Sequence, residues 1–260
     1  MQETVSMKHQ LGTLKLSPSD KKSIQGVVSS NWLSPGPKVW EFERAFPATH
    51  NQKFGVMTNS GTDALRIALA ALKERGGWKD GDVVFVPAIT FVATVNVVLQ
   101  LNLTPKLVDV SMYDFNLNPS NLEKIYTDKP HDKDDWPFDK DRRIIKGARC
   151  IIPVHLAGNP CDMPAIMKLA NKYKLSVLED SCETMGVDGI CQGDVTAFSF
   201  YVAHLLTTGV GGMATTNDPA LQKLMWSYCN HGRREPKQFI FDRVGYSCRP
   251  TEFEATLGLN

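Results

Sequence analysis

The sequence predicts an α/β domain, a mainly parallel sheet with helices on both faces. Three observations predict it. Short runs of β-branched and aromatic residues, such as Val83–Pro87 and Val195–Tyr201, read as buried strands. Between them lie stretches with apolar residues at i, i+3, i+4 and i+7, clearest at Leu65, Ala68, Leu69 and Leu72, the stripe of a helix packed on a core. The two kinds of segment alternate with no internal repeat or low-complexity tract, the order that builds parallel strands through helical crossovers.

Taken in order, residues 19–30 read as a short helix with Ser19 or Asp20 as its cap. SNWLSPGPKV follows as a loop broken by Pro and Gly, and VWEFERAFPATH resumes helical spacing. Phe54–Met57 is the first core strand, and it runs into Thr58–Asp63, which opens a helix. There Ser60, Gly61 and Thr62 offer backbone N–H groups, hydroxyls and the positive end of a helix dipole, where a phosphate or carboxylate can dock. An ordinary capped helix start explains the same residues.

Val83–Pro87 is the next strand, followed by Ala88–Phe91 and a helix from Val92 to about Leu101. Phe91 stands at a strand-to-helix junction, where a ring stacks on a planar ligand or belongs to the core. Lys106–Val110 is a third strand, with Asp109 at its end. Residues 127–146, with dense charge and two prolines, read as an exposed loop inserted between elements rather than a linker between domains.

Cys150–Val154 resumes the sheet, and a helix starts at Asp162. Leu175–Leu178 is another strand and ends in Glu179 and Asp180. A carboxylate at the carboxyl end of a parallel strand is placed for ligand contact, although a helix cap explains Asp180 equally well. After the strand Val195–Tyr201 comes a turn carrying His204 and closing on Gly209, Gly211 and Gly212, where a backbone can approach another group closely.

Composition narrows the function classes. At 260 residues, with 42% apolar and 22% charged residues, the chain is long enough for a substantial core and ordinary for a soluble globular protein. A net charge of +1 gives no basic face for nucleic acid or an anionic membrane. No apolar run approaches the roughly 20 residues of a membrane-spanning helix. The first residues lack an apolar signal core, so the expected location is cytoplasmic. The six cysteines (Cys150, Cys161, Cys182, Cys191, Cys229, Cys248) are scattered and expected as free thiols, and neither they nor the histidines show metal-ligand spacing.

The chemistry-bearing pieces form a set: a phosphate cup (Ser60, Gly61, Thr62, Ser199), a ring-stacking aromatic (Phe91), a strand-end acid (Asp180) and a proton-transfer group (His204). Pyridoxal phosphate chemistry needs such a set. The acid keeps the pyridine nitrogen protonated, the cup anchors the phosphate, and a base moves protons at the C4′ carbon.

The stretches WLSPGPKVWEFERAF, NSGTDALRIAL, VPAITFVATVNVVL, PVHLAGNPCDM, VLEDSCETMG, GDVTAFSFY, GGMATTND and GYSCRPTEFEATLGL strongly resemble the DegT/StrS sugar aminotransferase family of fold type I pyridoxal phosphate enzymes. They cover about residues 15–260 in the family's own order. The resemblance implies a seven-stranded mixed sheet in the large domain and a homodimer whose active site is shared between subunits. Residues 1–35 would be an N-terminal segment and 36–260 the cofactor-binding large domain. By the same resemblance, the small C-terminal domain that closes over the substrate in this family would be missing from the sequence as given. The resemblance further implies that Gly61, Thr62 and Ser199 hold the phosphate, that Phe91 stacks on the ring and that Asp180 pairs with its nitrogen. Glu183 falls where many relatives have a glutamine near the cofactor's O3′. Ser247 falls where the family usually has an asparagine that reaches the partner subunit's phosphate.

One departure decides between readings. The family's usual SFYPTK carries the cofactor-binding lysine where this chain has His204, and no lysine occurs between Ser181 and Ala220. An imidazole cannot form that covalent imine, so pyridoxal phosphate or pyridoxamine phosphate would be held non-covalently. It can act as a base, with a reference pKa of about 6.5. A branch with the same substitution, the 3-dehydratases of nucleotide-linked 4-keto-6-deoxyhexoses, thus gives the expected function in deoxysugar and polysaccharide biosynthesis. The kind acting on CDP sugars carries an iron–sulfur cluster on closely spaced cysteines, whereas MWSYCNHGRREP has only Cys229. The kind acting on GDP sugars, with its cofactor regenerated from glutamate, fits better. The alternatives are a sugar aminotransferase transferring an amino group from glutamate to a keto sugar, and a non-catalytic or truncated relative.

Overall fold

In the computed structural model, which describes residue 12, residues 15–127 and residues 147–260, all strands belong to one sheet. They are β1 (Phe54–Thr58), β2 (Val83–Pro87), β3 (Thr104–Val108), β4 (Ala148–Ile151), β5 (Ser176–Asp180), β6 (Val195–Ser199) and β7 (Gly212–Thr216). The seven-stranded order is β1-β7-β6-β5-β4-β2-β3. Only β7 opposes its neighbours, pairing antiparallel with both β1 and β6, and the remaining pairs are parallel. The expected mixed, mainly parallel sheet is therefore what forms. Its parallel strands release their carboxyl ends at one edge, and β7 enters from that same edge, opposite Thr58 and Ser199.

The described helices are α1 (Pro18–Ser30), α2 (Pro37–Ala48), α3 (Gly61–Gly76), α4 (Val92–Gln100), α5 (Pro119–Thr127), α6 (Met163–Tyr173), α7 (Pro219–Cys229) and α8 (Glu252–Leu259). Alternate strand residues face opposite sides of a sheet, and the core divides accordingly. Val84, Val86, Ile152, Leu178 and Ala197 pack with Leu65, Leu69 and Leu72 of α3, Val97 and Val98 of α4, and Leu221 and Met225 of α7. Their strand neighbours Val83, Phe85, Ile151 and Val177 face the other way, onto Leu122 of α5 and Ile166 and Leu169 of α6. Further along that second face, Met57, Phe198 and Met213 meet Val39, Phe42 and Phe46 of α2 and Ala255 of α8.

Several boundaries differ from the sequence expectation, each for a local reason. The cap of α1 is Ser17, not Ser19 or Asp20. Its hydroxyl accepts the Asp20 N–H, and the Asp20 carboxylate accepts the Ser17 N–H, so Asp20 completes a capping box from inside the helix. The third strand is Thr104–Val108 and stops before Asp109, because its partner β2 ends at Pro87, opposite Val108. It tolerates Pro105 because it is an edge strand. The fourth ends at Ile151 rather than Val154. Pro153 has no N–H to continue the ladder, and Val154 keeps only an isolated bridge to Asp180. The sixth ends at Ser199, where the loop towards β7 begins. Apart from Thr127, the last residue of α5, the charged stretch 127–146 lies outside the described residues.

Candidate active site

The pocket at the carboxyl edge of the sheet has a volume of about 520 Å³ and is lined by residues from five separate chain segments. Gly61 and Thr62, Phe91, Asp180 and Glu183, Ser199, and His204 all contribute to its wall. Seven of the eight predicted site residues thus meet in one cavity. Ser247 does not. It is exposed, bridges Asn230, and its hydroxyl accepts from Arg249 Nη2 at 2.9 Å.

The start of α3 is capped in the expected way, with Ser60 Oγ accepting the Asp63 N–H at 3.1 Å and the Ser60 carbonyl accepting the Ala64 N–H. The cap leaves Thr62 over. Among the described residues neither its N–H nor its hydroxyl has a protein partner, and both belong to the positive end of a 16-residue helix. Gly61 is required by its neighbours: a Cβ there would lie 2.5 Å from the Ser199 Cβ and 3.1 Å from Cys182 Sγ. The absent side chain lets the α3 turn close on β6, so that Ser199, at the end of its strand, joins the same cradle. Its hydroxyl accepts the Tyr201 N–H only at 3.4 Å.

Phe91 is the N-cap residue of α4, and its ring is 72% exposed at the pocket. The core-ring alternative is therefore excluded. Asp180 is only 5% exposed. Its Oδ2 accepts from Thr94 Oγ1 at 2.8 Å and its Oδ1 from the Cys182 N–H at 3.2 Å. It caps no helix, since the chain passes from β5 into a turn. Glu183 is tied by Oε2 to the Ala157 N–H at 2.7 Å, and Ala157 holds a left-handed φ of 51°.

His204 lies in the loop joining β6 to β7. That loop is pinned at its ends by Phe200 N–H to the Gly211 carbonyl at 2.9 Å and Thr208 N–H to the Phe200 carbonyl at 3.0 Å. Partial burial holds the imidazole below its ordinary pKa, while the Glu183 and Asp180 carboxylates pull the other way. It is therefore largely neutral at pH 7, with a lone pair available to take a proton. Cys182 also lines the pocket, but burial, with Asp180 beside it, raises its thiol well above the usual range and leaves it a poor nucleophile. Sequence reasoning missed Thr94. Its signal was the i, i+4 spacing of Thr90 and Thr94 across a helix start.

A mainly parallel seven-stranded sheet in this order, with the pocket at its carboxyl edge, matches the large domain of pyridoxal phosphate aminotransferases. The chain belongs to the DegT/DnrJ/EryC1/StrS aminotransferase family, whose model matches residues 15–260. This family uses pyridoxal phosphate or pyridoxamine phosphate. A GDP-perosamine synthase of Caulobacter vibrioides is 33% identical over 251 residues, covering 94% of this chain and 62% of that protein. An aminotransferase from Psychrobacter cryohalolentis superposes with a TM-score of 0.81 at 30% identity, covering 94% of this chain and 61% of that one. E. coli GDP-4-keto-6-deoxy-D-mannose-3-dehydratase with bound hydrated PLP superposes with a TM-score of 0.83 at 26% identity, covering 96% and 66%. The chain thus spans less than two thirds of the length of these relatives. Among the described residues no helix is long and apolar enough to cross a membrane, and no group of three or more His, Cys, Asp or Glu residues is placed to hold a metal ion.

Proposed function

We propose that this chain is the cofactor-binding part of a nucleotide-sugar enzyme, a 3-dehydratase of a nucleotide-linked 4-keto-6-deoxyhexose that holds its cofactor without a covalent bond. One observation carries the reading: the pocket wall contains an imidazole, His204, and no amine among its described residues. The unpartnered Thr62 groups and the space kept by Gly61 fit a phosphate, and the exposed Phe91 ring beside a buried carboxylate fits a pyridine ring. When bound, the cofactor supplies an electron sink for the carbon attached to it.

The chain's own residues then divide the work. Gly61, Thr62 and Ser199 anchor the phosphate through N–H and hydroxyl donors at the helix terminus. Phe91 would cover one face of the ring, and Asp180 would pair with its nitrogen. Glu183 would stand near the ring hydroxyl. With the cofactor bound, neutral His204 would be the base for the proton at C4′, and its protonated form would be the acid for the sugar's departing 3-hydroxyl, which leaves as water. Glutamate serves as the amino donor that regenerates pyridoxamine phosphate, and the chain pairs with a second copy, with the exposed Ser247 at the position that would reach the partner's phosphate.

Sequence identity favours a second reading, a sugar aminotransferase, because a GDP-perosamine synthase is 33% identical and the dehydratase structure 26%. Borohydride reduction of the chain loaded with pyridoxal phosphate separates the two. The dehydratase reading expects all of the cofactor to be removed by gel filtration in denaturant. Cofactor fixed covalently to the protein would sink it and support the transferase.

A further inference from the structure

Thr94 is fully buried in α4 and behaves unlike an ordinary helical threonine, whose hydroxyl turns back to a carbonyl one turn earlier. Its oxygen instead lies 2.8 Å from Asp180 Oδ2 and 2.7 Å from Thr90 Oγ1. A hydroxyl has one proton to give. The Thr94 proton goes to the Asp180 carboxyl oxygen, so the contact with Thr90 must be made by the Thr90 proton. The direction Thr90 → Thr94 → Asp180 follows, and it sets aside the longer, 3.3 Å alternative from Thr90 Oγ1 to the Phe91 carbonyl.

We propose that Thr94, supported by Thr90, is the positioning residue that fixes the Asp180 carboxylate and ties it to the Phe91-bearing start of α4. The inference rests on the reading of the pocket as a pyridoxal phosphate site. Two donors on different oxygens, the Cys182 N–H and the Thr94 hydroxyl, fix the plane of the Asp180 carboxylate. A carboxylate held at both oxygens cannot rotate freely about its last bond, so its remaining lone pairs stay where they are set. Thr90 directly precedes Phe91 and lines the pocket. The same hydroxyl chain therefore sets the spacing between the group facing the ring nitrogen and the group covering the ring face.

The test compares pyridoxamine phosphate with its 1-deaza analogue, in which carbon replaces the ring nitrogen, by tryptophan fluorescence titration of the chain. The wild-type chain binds the natural compound more tightly, because only that one engages Asp180. Thr94→Val, which is close in volume, is expected to weaken pyridoxamine phosphate about tenfold, the equivalent of about 1.4 kcal/mol, and to leave the analogue unchanged. Thr94→Ser keeps the hydroxyl and restores the preference. Thr90→Val loses part of the preference in the same direction and covers the case of a poorly folding Thr94→Val chain. Full preference retained in Thr94→Val and Thr90→Val overturns the assignment of Thr94 alone. A wild-type chain that binds neither compound overturns the cofactor reading, and the assignment with it. Equal weakening of both compounds in Thr94→Val overturns the positioning role and leaves the cofactor reading intact.

Discussion

Glu179 and Asp180 are adjacent acids on β5, and their surroundings are opposite. Glu179 faces the side of the sheet covered by α5 and α6, is fully buried, and is satisfied on every side. Its Oε1 accepts the Gly193 N–H, and its Oε2 accepts the Cys191 N–H and the His155 Nε2–H, both at 2.8 Å. The tautomer of His155 follows, because its Nδ1 already accepts the Cys161 N–H at 3.0 Å. Asp180 faces the α3 and α4 side, has one protein donor on each oxygen, and opens onto the pocket. A closed set of hydrogen bonds fixes the loops behind the sheet, while a half-open set leaves capacity for a ligand. Two acids with the same chemistry one residue apart thus stand in a closed and an open environment, and the proposed function gives binding to the open one.

The largest expected effect would break this contrast outright. Glu179→Gln places an amide N–H against buried donors and leaves them unsatisfied, so urea unfolding should register a loss of about 3 kcal/mol, the upper end for a stranded buried hydrogen-bonding group. The matching change Asp180→Asn should cost only about 1 kcal/mol of stability, the scale of one ordinary hydrogen bond. Equal losses for the two variants would erase the distinction.

Binding should show the reverse order. On the proposed function, Asp180→Asn removes the carboxylate that would face the ring and is expected to weaken pyridoxamine phosphate about 100-fold, about 2.7 kcal/mol, within the range of charged hydrogen bonds. Glu179→Gln, at a temperature where it remains folded, should bind within about threefold of wild type, less than 1 kcal/mol. Equilibrium dialysis measures both.

Gly61→Ala sharpens the open side of the comparison. The added methyl meets the Ser199 side chain, not a flexible tip, and must push the α3 turn away from β6. Inorganic phosphate and pyridoxamine phosphate should both bind about tenfold more weakly, about 1.4 kcal/mol. A compound lacking the phosphate should be unaffected.

The smallest effect concerns pH. His204 has its folded pKa below the ordinary value because of partial burial, so the unfolded chain takes up its proton first as pH falls. Its contribution to stability is therefore complete above about pH 6.5 and is lost as pH falls through the lower folded value. Catalysis requiring the neutral base should fall over the same range, and Glu183→Gln, which removes a carboxylate that favours the charged imidazole, should move the fall to lower pH. A profile unchanged in Glu183→Gln would show that Glu183 has no electrostatic hold on His204.

Much of the fold was legible from local pattern. The stripe Leu65, Ala68, Leu69, Leu72 is buried as expected, and α3 also buries Ala64, Ile67, Ala70 and Ala71, because it lies over the middle of the sheet and touches several strands. Boundaries were less legible where they depend on a partner: the end of β3 follows Pro87 on β2, and the end of β4 follows a missing N–H at Pro153. Of the site, the groups themselves could be read, but Phe91 and Asp180 each carried two readings. Exposure distinguished them for Phe91, and the turn after β5 did so for Asp180.

The sequence by itself determined the periodicities, hence the element types, and supplied a hydroxyl-rich helix start, a strand-end acid and an imidazole in place of an amine. These are local properties, set by side chains two to four residues apart. The tertiary structure alone decided which of two adjacent acids faces the pocket, that Phe91 stays in the open, and that Thr94 reaches Asp180 across 86 residues of chain. Those facts depend on the order of strands in the sheet and on which helix covers which face. That order comes from packing between segments far apart in the chain, which no short window of sequence contains.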